Sequence, residues 1–150
     1  TLSLEPRSDG FGNNQVVPVT FANVNEFCRF QGEVYSNIAE GDSFYMDCEV
    51  TVASPVNLRG VKGTLALAGS KLSYSAITNQ VDTNYDVAYD SAMTFTIRTP
   101  IVKYTADIFG SSPTLTPQIY VTAMGAGSVI LKVGRWAVHK IPASVLSAES

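Results

Sequence analysis

His139 is the only histidine among 150 residues, so any nucleophile–base chemistry run through imidazole has to run through it. Serines and aspartates are plentiful enough for a Ser–His–Asp set on paper, but no G-x-S-x-G turn presents a hydroxyl. His139 closes an apolar stretch just before Ile141-Pro142, which predicts a strand-end imidazole with one hydrogen bond. One histidine and two cysteines are too few soft ligands for a zinc site. Asp82-Thr83-Asn84-Tyr85-Asp86, with Asp90 beyond, has the alternating oxygens with which many calcium loops begin. Position six is Val87 rather than glycine, and position twelve is Met93 rather than glutamate. A solvated acidic turn is the expected role there, with an ion site of another geometry as the alternative. Asp42, Asp47 and Glu49 could meet across a turn, yet a glycosidase pair needs aromatic platforms beside it and only Tyr45 is near. The expectation is a protein that is not an enzyme and carries no cofactor and no metal.

Two residue types bear on recognition rather than reaction. Trp136 is the sole tryptophan and has three roles open to it: core filler, interface anchor or sugar-stacking platform. By strict alternation it shares a face with Ile130, Lys132 and Val138, opposite Leu131, Val133 and Arg135, so both faces of this stretch are apolar enough to be covered. Cys28 and Cys48 are expected as free buried thiols, with a disulfide as the alternative. Such a bridge would close a loop of roughly 20 residues and stabilise by about 3 kcal/mol.

The elements that must position these residues are strands. In Ser43–Ala53, Phe44, Met46, Cys48, Val50 and Val52 fall on one side, and Tyr45, Asp47, Glu49 and Thr51 on the other. Successive strand side chains point to opposite faces, so this run has one buried and one wet side. The beat predicts strands over 16–21, 33–38, 43–53, 56–68, 71–77, 85–89, 92–99, 101–108, 117–124 and 127–139, separated by Gly, Pro and Ser turn signals. Pro18 places the first of them at a sheet edge or in an arm, because proline cannot donate to a ladder. Gly60 and Gly63 mark a bulge or a point where another backbone approaches closely. Asn23 as cap and Glu26 three residues on, with Val24, Phe27 and Cys28 on one face and Gly32 beyond, predict one short helix near residues 24–31. Together these give an all-β, two-sheet antiparallel sandwich or jelly roll, one domain over 1–150, with 1–15 as an extended arm and 144–150 as a flexible tail.

Charge narrows the partners. Charged residues make up 15% of the chain, against roughly 25% in a typical domain, which suits a surface partly covered by a neighbouring subunit. The net charge is −3, and the cations stand singly apart from the group Lys132, Arg135 and Lys140 and the pair Arg59 and Lys62, neither of which makes a polybasic arm, so strong nucleic-acid binding is not expected. No apolar run reaches the roughly 18 residues of a membrane span. The opening segment is polar, without the pattern of a signal peptide, which suits a processed or trimmed product.

Ala92-Met93-Thr94-Phe95-Thr96-Ile97-Arg98-Thr99-Pro100 is similar to the late strand of picornavirus-like capsid jelly rolls. Leu58-Arg59-Gly60-Val61-Lys62-Gly63-Thr64-Leu65 resembles the arginine–glycine strand of the same coat proteins, and Asn23–Phe30 resembles the capped segment before their barrel. The resemblance implies a structural coat subunit in a virion, self-assembling with copies of itself or sister subunits and available to a host receptor. Phe11, Tyr45, Tyr104 and Trp136 are the candidate contact residues on that reading. A second resemblance competes: Val16-Val17-Pro18-Val19-Thr20-Phe21-Ala22-Asn23-Val24 is similar to the opening strand of bacterial cohesin modules, and Gly69-Ser70-Lys71-Leu72-Ser73-Tyr74 to their following turn. It implies the alternative, a secreted, extracellular β-sandwich module that binds a protein partner or a glycan.

Overall fold

In Ser43–Ala53 the alternation is realised residue by residue: Phe44, Met46, Cys48, Val50 and Val52 are at most 1% exposed, while Tyr45, Asp47, Glu49 and Thr51 face outward. The computed structural model describes residues 3–7, 9–53, 58–78 and 93–143. Within them the chain runs β1 Ser3–Pro6, β2 Asn13–Phe21, β3 Phe27–Gln31, β4 Ser43–Ala53, β5 Leu58–Ala68, β6 Ser73–Thr78, β7 Met93–Arg98, β8 Val102–Lys103, α1 Ala106–Phe109, β9 Thr114–Ala123 and β10 Gly127–Ile141.

Two sheets result. One has the order β1-β2-β10-β4-β7, with β8 also on β4, and the other the order β3-β9-β5-β6. Every recorded strand pair is antiparallel. The inward faces meet in two apolar clusters, one around Val50, Val52, Ile119 and Leu131, the other around Phe44, Met46, Leu65 and Leu115. Each such side chain, fully withdrawn from water, stabilises the fold by roughly 1.5–3 kcal/mol. Cys28 and Cys48 are free thiols. Burial pushes the Cys48 thiol up to about 12, so it packs as a small neutral hydrophobe.

The helix expected near residues 24–31 does not form. Glu26 does reach back as a capping box would, its Oε2 accepting from the Ala22 N–H at 2.6 Å and the Asn23 N–H at 3.0 Å, but it closes a turn instead. Phe27–Gln31 then runs as β3 against β9, with Phe27 opposite Thr122 and Gln31 opposite Gln118. Two helical turns are marginal in water, whereas a neighbouring strand supplies a ladder for every second backbone group. The stretch also carries a two-residue period, since Cys28 and Phe30 pack on the core while Phe27, Arg29 and Gln31 are exposed.

Other boundaries shift in the same physical sense. Of the 33–38 strand only one bridge survives, Tyr35 to Leu115. The 101–108 strand shortens to β8 and passes into α1. The strand expected at 85–89, the acidic turn from Asp82 to Asp90 and the 144–150 tail lie outside the described residues. The segment expected as an arm, 1–15, is part of a sheet over its described strands: Ser3 pairs with Val16 and Pro6 with Asn13. Among the described residues that pairing runs from Pro6–Asn13 to Ser3–Val16, and Pro18 lies beyond it, opposite Ile130 of β10.

Charge ties this hairpin to the outer sheet face. Arg7, with a side chain only 6% exposed, reaches Glu49 Oε1 at 2.8 Å, donates to Asn14 Oδ1 at 2.7 Å and pairs with Asp9 Oδ2 at 2.9 Å. Gly134 lies beneath it, where an added Cβ would collide with Asn14 Oδ1 and Arg7 Nη1. Hydrogen bonds from Arg7 first, then from the Phe11 N–H, hold the Asp9 carboxyl down at about 2. A carboxyl depressed below its unfolded value stabilises the fold above that value and ceases to as pH falls toward the folded one. The Asp9 contribution is therefore complete at neutral pH and disappears between about pH 4 and about pH 2. The NMR shift of the Phe11 amide should titrate near the lower end of that window, and Asp9→Asn should abolish the transition.

Candidate functional site

The outward face of the β1-β2-β10-β4-β7 sheet gathers most of the charged side chains singled out above, and they satisfy one another. His139 Nε2 lies 2.9 Å from Asp47 Oδ1, and its ring stacks on Tyr45 with centroids 4.6 Å apart. Asp47 also meets Arg98 at 3.4 Å, and the Arg98 guanidinium lies 5.6 Å from the Tyr45 ring centroid. Lys132 pairs with Glu5 at 2.7 Å, and Arg135 with Asp9. A hollow of about 520 Å³ on this face is lined by Glu5, Arg7, Glu49 and Lys132, all within these pairs. His139 thus has a carboxylate and a phenol ring as its recorded partners, with no serine hydroxyl among them. Among the described residues no group of three or more His, Cys, Asp or Glu converges as a metal site, and no helix is long and apolar enough to cross a membrane.

A different environment opens on the other side of one irregularity in β10. The register with β4 slips between Gly134 and Ala137, so β10 carries one extra residue there, and Arg135 takes φ of 49°. Before this bulge Val129, Leu131 and Val133 face the core; after it Trp136 and Val138 do. The bulge therefore sends Arg135 outward to Asp9 and turns the indole inward between the sheets. Trp136 packs against both apolar clusters, and its Nε1–H donates to Met46 Sδ at 3.0 Å.

The indole is only half-buried, because a cleft of about 450 Å³ lies along it. The opposite wall is the segment after β3. It is held to β9 by the Gly32 N–H donating to the Pro117 carbonyl at 2.9 Å and by the reciprocal Tyr35–Leu115 pair at 2.8 Å. Gly32 allows this passage: a Cβ there would sit 2.8 Å from Pro117 Cγ and 3.6 Å from the indole. Val133, Pro117, Tyr35 and Val138 supply an apolar floor. A second hollow of about 210 Å³, which shares Gln15, Val133 and Trp136 with the first, is bounded by Val17, Phe30 and Gln31.

The rim differs from the charged face in one decisive respect. Asn13, Gln15, Gln31 and Glu33 line the two hollows, and among the described residues none of these four side chains makes a hydrogen bond or ion pair. An aromatic floor with uncommitted amide and carboxylate groups around it is the usual make-up of a small-ligand site. The apolar face of a ring can lie on the indole while hydroxyls find the rim.

The four residues expected at contacts do not come together. Trp136 is in the cleft, Tyr45 is on the charged face, and Phe11 projects 75% exposed from the β1–β2 turn. Tyr104 needs correcting: it is 5% exposed, inside the core, and its hydroxyl donates to the Gly110 carbonyl at 2.6 Å, so it presents no surface. The rim residues escaped sequence reading because two separate segments supply them, and a third supplies the indole. The available signal was Gly32 between the polar Gln31 and Glu33, which reads equally well as a helix stop.

No protein-family model and no curated protein matches the sequence. Solved structures do match its fold. One, concerned with the promiscuous specificity of carbohydrate-binding modules from the β-sandwich superfamily, superposes with a TM-score of 0.61 at 10% identity, over 93% of this chain and 52% of that one. The chain thus spans about half the length of that protein. A family 16 carbohydrate-binding module gives 0.53 at 8% identity, over 92% of this chain and 84% of its own. The enzymatically active domain of bacteriophage CBA120 tailspike protein 4 gives 0.52 at 7% identity, over 93% of this chain and 18% of that one. The chain is an antiparallel β-sandwich, of an architecture it has in common with β-sandwich binding modules.

Proposed function

We propose that the protein is a non-catalytic binding module that takes a glycan in the cleft beside Trp136. The observation that carries this reading is the half-buried indole ringed by four polar side chains with no partner among the described residues. Sugars offer what such a cleft lacks, an apolar ring face and a belt of hydroxyls. Two of the structural neighbours, described as carbohydrate-binding modules, support the reading at the level of fold. They favour the binding-module alternative over the coat subunit, which rests on short sequence resemblances alone. A module of this kind acts outside the cell or on a particle surface, where glycans are.

The test runs the full chain on a glycan array and by calorimetric titration, with light scattering in parallel. The expected result is retention on at least one glycan class by a chain that stays monomeric. Retention on none, together with growth of large symmetric particles as concentration rises, would overturn the proposal in favour of the coat subunit.

A further inference from the structure

The cleft also carries information about which glycans it admits, and this step rests on the glycan reading above. Among the described residues only two charged ones line it, Glu33 and Arg135, and none lines the adjoining hollow. Arg135 leads away to the outer face, where Asp9 neutralises it; Asp9 in turn is shared with Arg7, which is balanced by Glu49. Glu33 is exposed and has no partner among the described residues. Subtracting the closed pairs leaves one uncompensated negative charge at the mouth, on a chain whose net charge of −3 has the same sign.

We infer that Glu33 is a charge filter: the cleft accepts uncharged or amine-bearing sugars and turns away carboxylated and sulfated ones. The physical basis is direct. A uronate or sulfate seated in the cleft brings a second anion into the space that the Glu33 carboxylate lines, which is partly walled by apolar side chains. Like charges about 3–4 Å apart cost roughly five- to tenfold in affinity even when water screens them well. An ammonium at the same place gains a charge-assisted hydrogen bond instead. Charge-assisted contacts to hydroxyls remain open to neutral sugars, so the filter does not close the site to them. Gln31, which lines the second hollow, is neutral and leaves Glu33 to set the sign alone.

The experiment measures affinities of the full chain for matched neutral, 6-amino and 6-carboxylate forms of gluco-, manno- and galacto-oligosaccharides. The readout is the ratio between forms, not the absolute affinity. For whichever backbone binds, the carboxylate form should be about tenfold weaker than the neutral form, and the amino form tighter. The ratio should shrink as salt rises. Glu33→Gln should bring the carboxylate ratio to within about twofold of unity, and Gln31→Glu should widen it to about a hundredfold. Equal affinity of the native chain for neutral and carboxylate forms would overturn the filter while leaving the glycan reading intact, as would a tenfold ratio that survives Glu33→Gln. Failure of every form on every backbone would instead remove the glycan reading on which the filter stands.

Discussion

Trp136→Ala is expected to lower glycan affinity by about a hundredfold, close to 3 kcal/mol, the loss typical of truncating a central aromatic anchor. It should also lower folding stability by about 3 kcal/mol, because the ring touches both apolar clusters and donates to Met46 Sδ. The two losses need separating, and Trp136→Phe does so. Phenylalanine keeps an apolar ring between the sheets, gives up the N–H bond and uncovers part of the platform. It should cost about 1 kcal/mol of stability and about tenfold in affinity. Titration gives the affinities, and denaturant unfolding gives the stabilities. Retention of full affinity by a destabilised Trp136→Ala would make the indole a core residue only and move the site elsewhere.

Whether a feature could be read from the chain follows from how far local pattern decides it. β4 is legible because eleven residues keep one period and both its neighbours bury the same face. Gly60 was legible as a bulge, but what approaches Gly63 is a pair of side chains rather than another backbone. The register with β9 slips between Leu58 and Gly60, while Gly63 faces Ile97 and Met46 across the sandwich. β10 defeats the same reasoning, since its bulge reverses the parity after Gly134 and Arg135 and Trp136 exchange the faces that alternation assigns them. Nothing in Gly134-Arg135-Trp136 announces an extra residue; the packing of Arg7 over Gly134 and of the indole against Met46 selects it. The stretch near 24–31 failed for another reason. It satisfies helix and strand patterns at once, and the vacant edge of β9, far along the sequence, decides between them. Tyr104 was expected at a contact, but the α1 turn behind it supplies the Gly110 carbonyl that lets its phenol be buried.

The cleft shows how little of a site such reading can reach. Asn13 and Gln15 come from β2, Gln31 and Glu33 flank the end of β3, and Trp136 belongs to β10. No window of sequence holds two of these groups with the third. The bulge connects the cleft to the charged face as well, because neighbouring residues of one irregularity serve the Asp9 pair and the wall of the cleft. A local distortion of this sort is commonly how a sheet aims a side chain out of its regular alternation.

Gly63→Val should be the most damaging single substitution outside the cleft, lowering stability by about 3 kcal/mol. Gly63 pairs with Thr78 on one side and Ile119 on the other, in the middle of β5. Its missing side chain leaves room for the opposite sheet: an added Cβ would overlap Ile97 Cγ2 and come within 3.0 Å of Met46 Cε. Both of those residues are fully buried, so they can move only by leaving their rotamers or by separating the sheets. Interiors packed at crystal-like density resist either response. With typical stabilities of about 5–15 kcal/mol, the change removes a large share of what holds the native state. Gly125→Ala is the control, since a Cβ there meets nothing within 4 Å, and its unfolding midpoint should stay close to that of the native chain. Because Met46 also accepts the indole N–H, a displaced Met46 should carry the damage into the cleft. Gly63→Val should then weaken glycan binding at temperatures where the chain is still folded, and a variant that binds at full strength while melting early would show that the two sheets separate without disturbing Trp136.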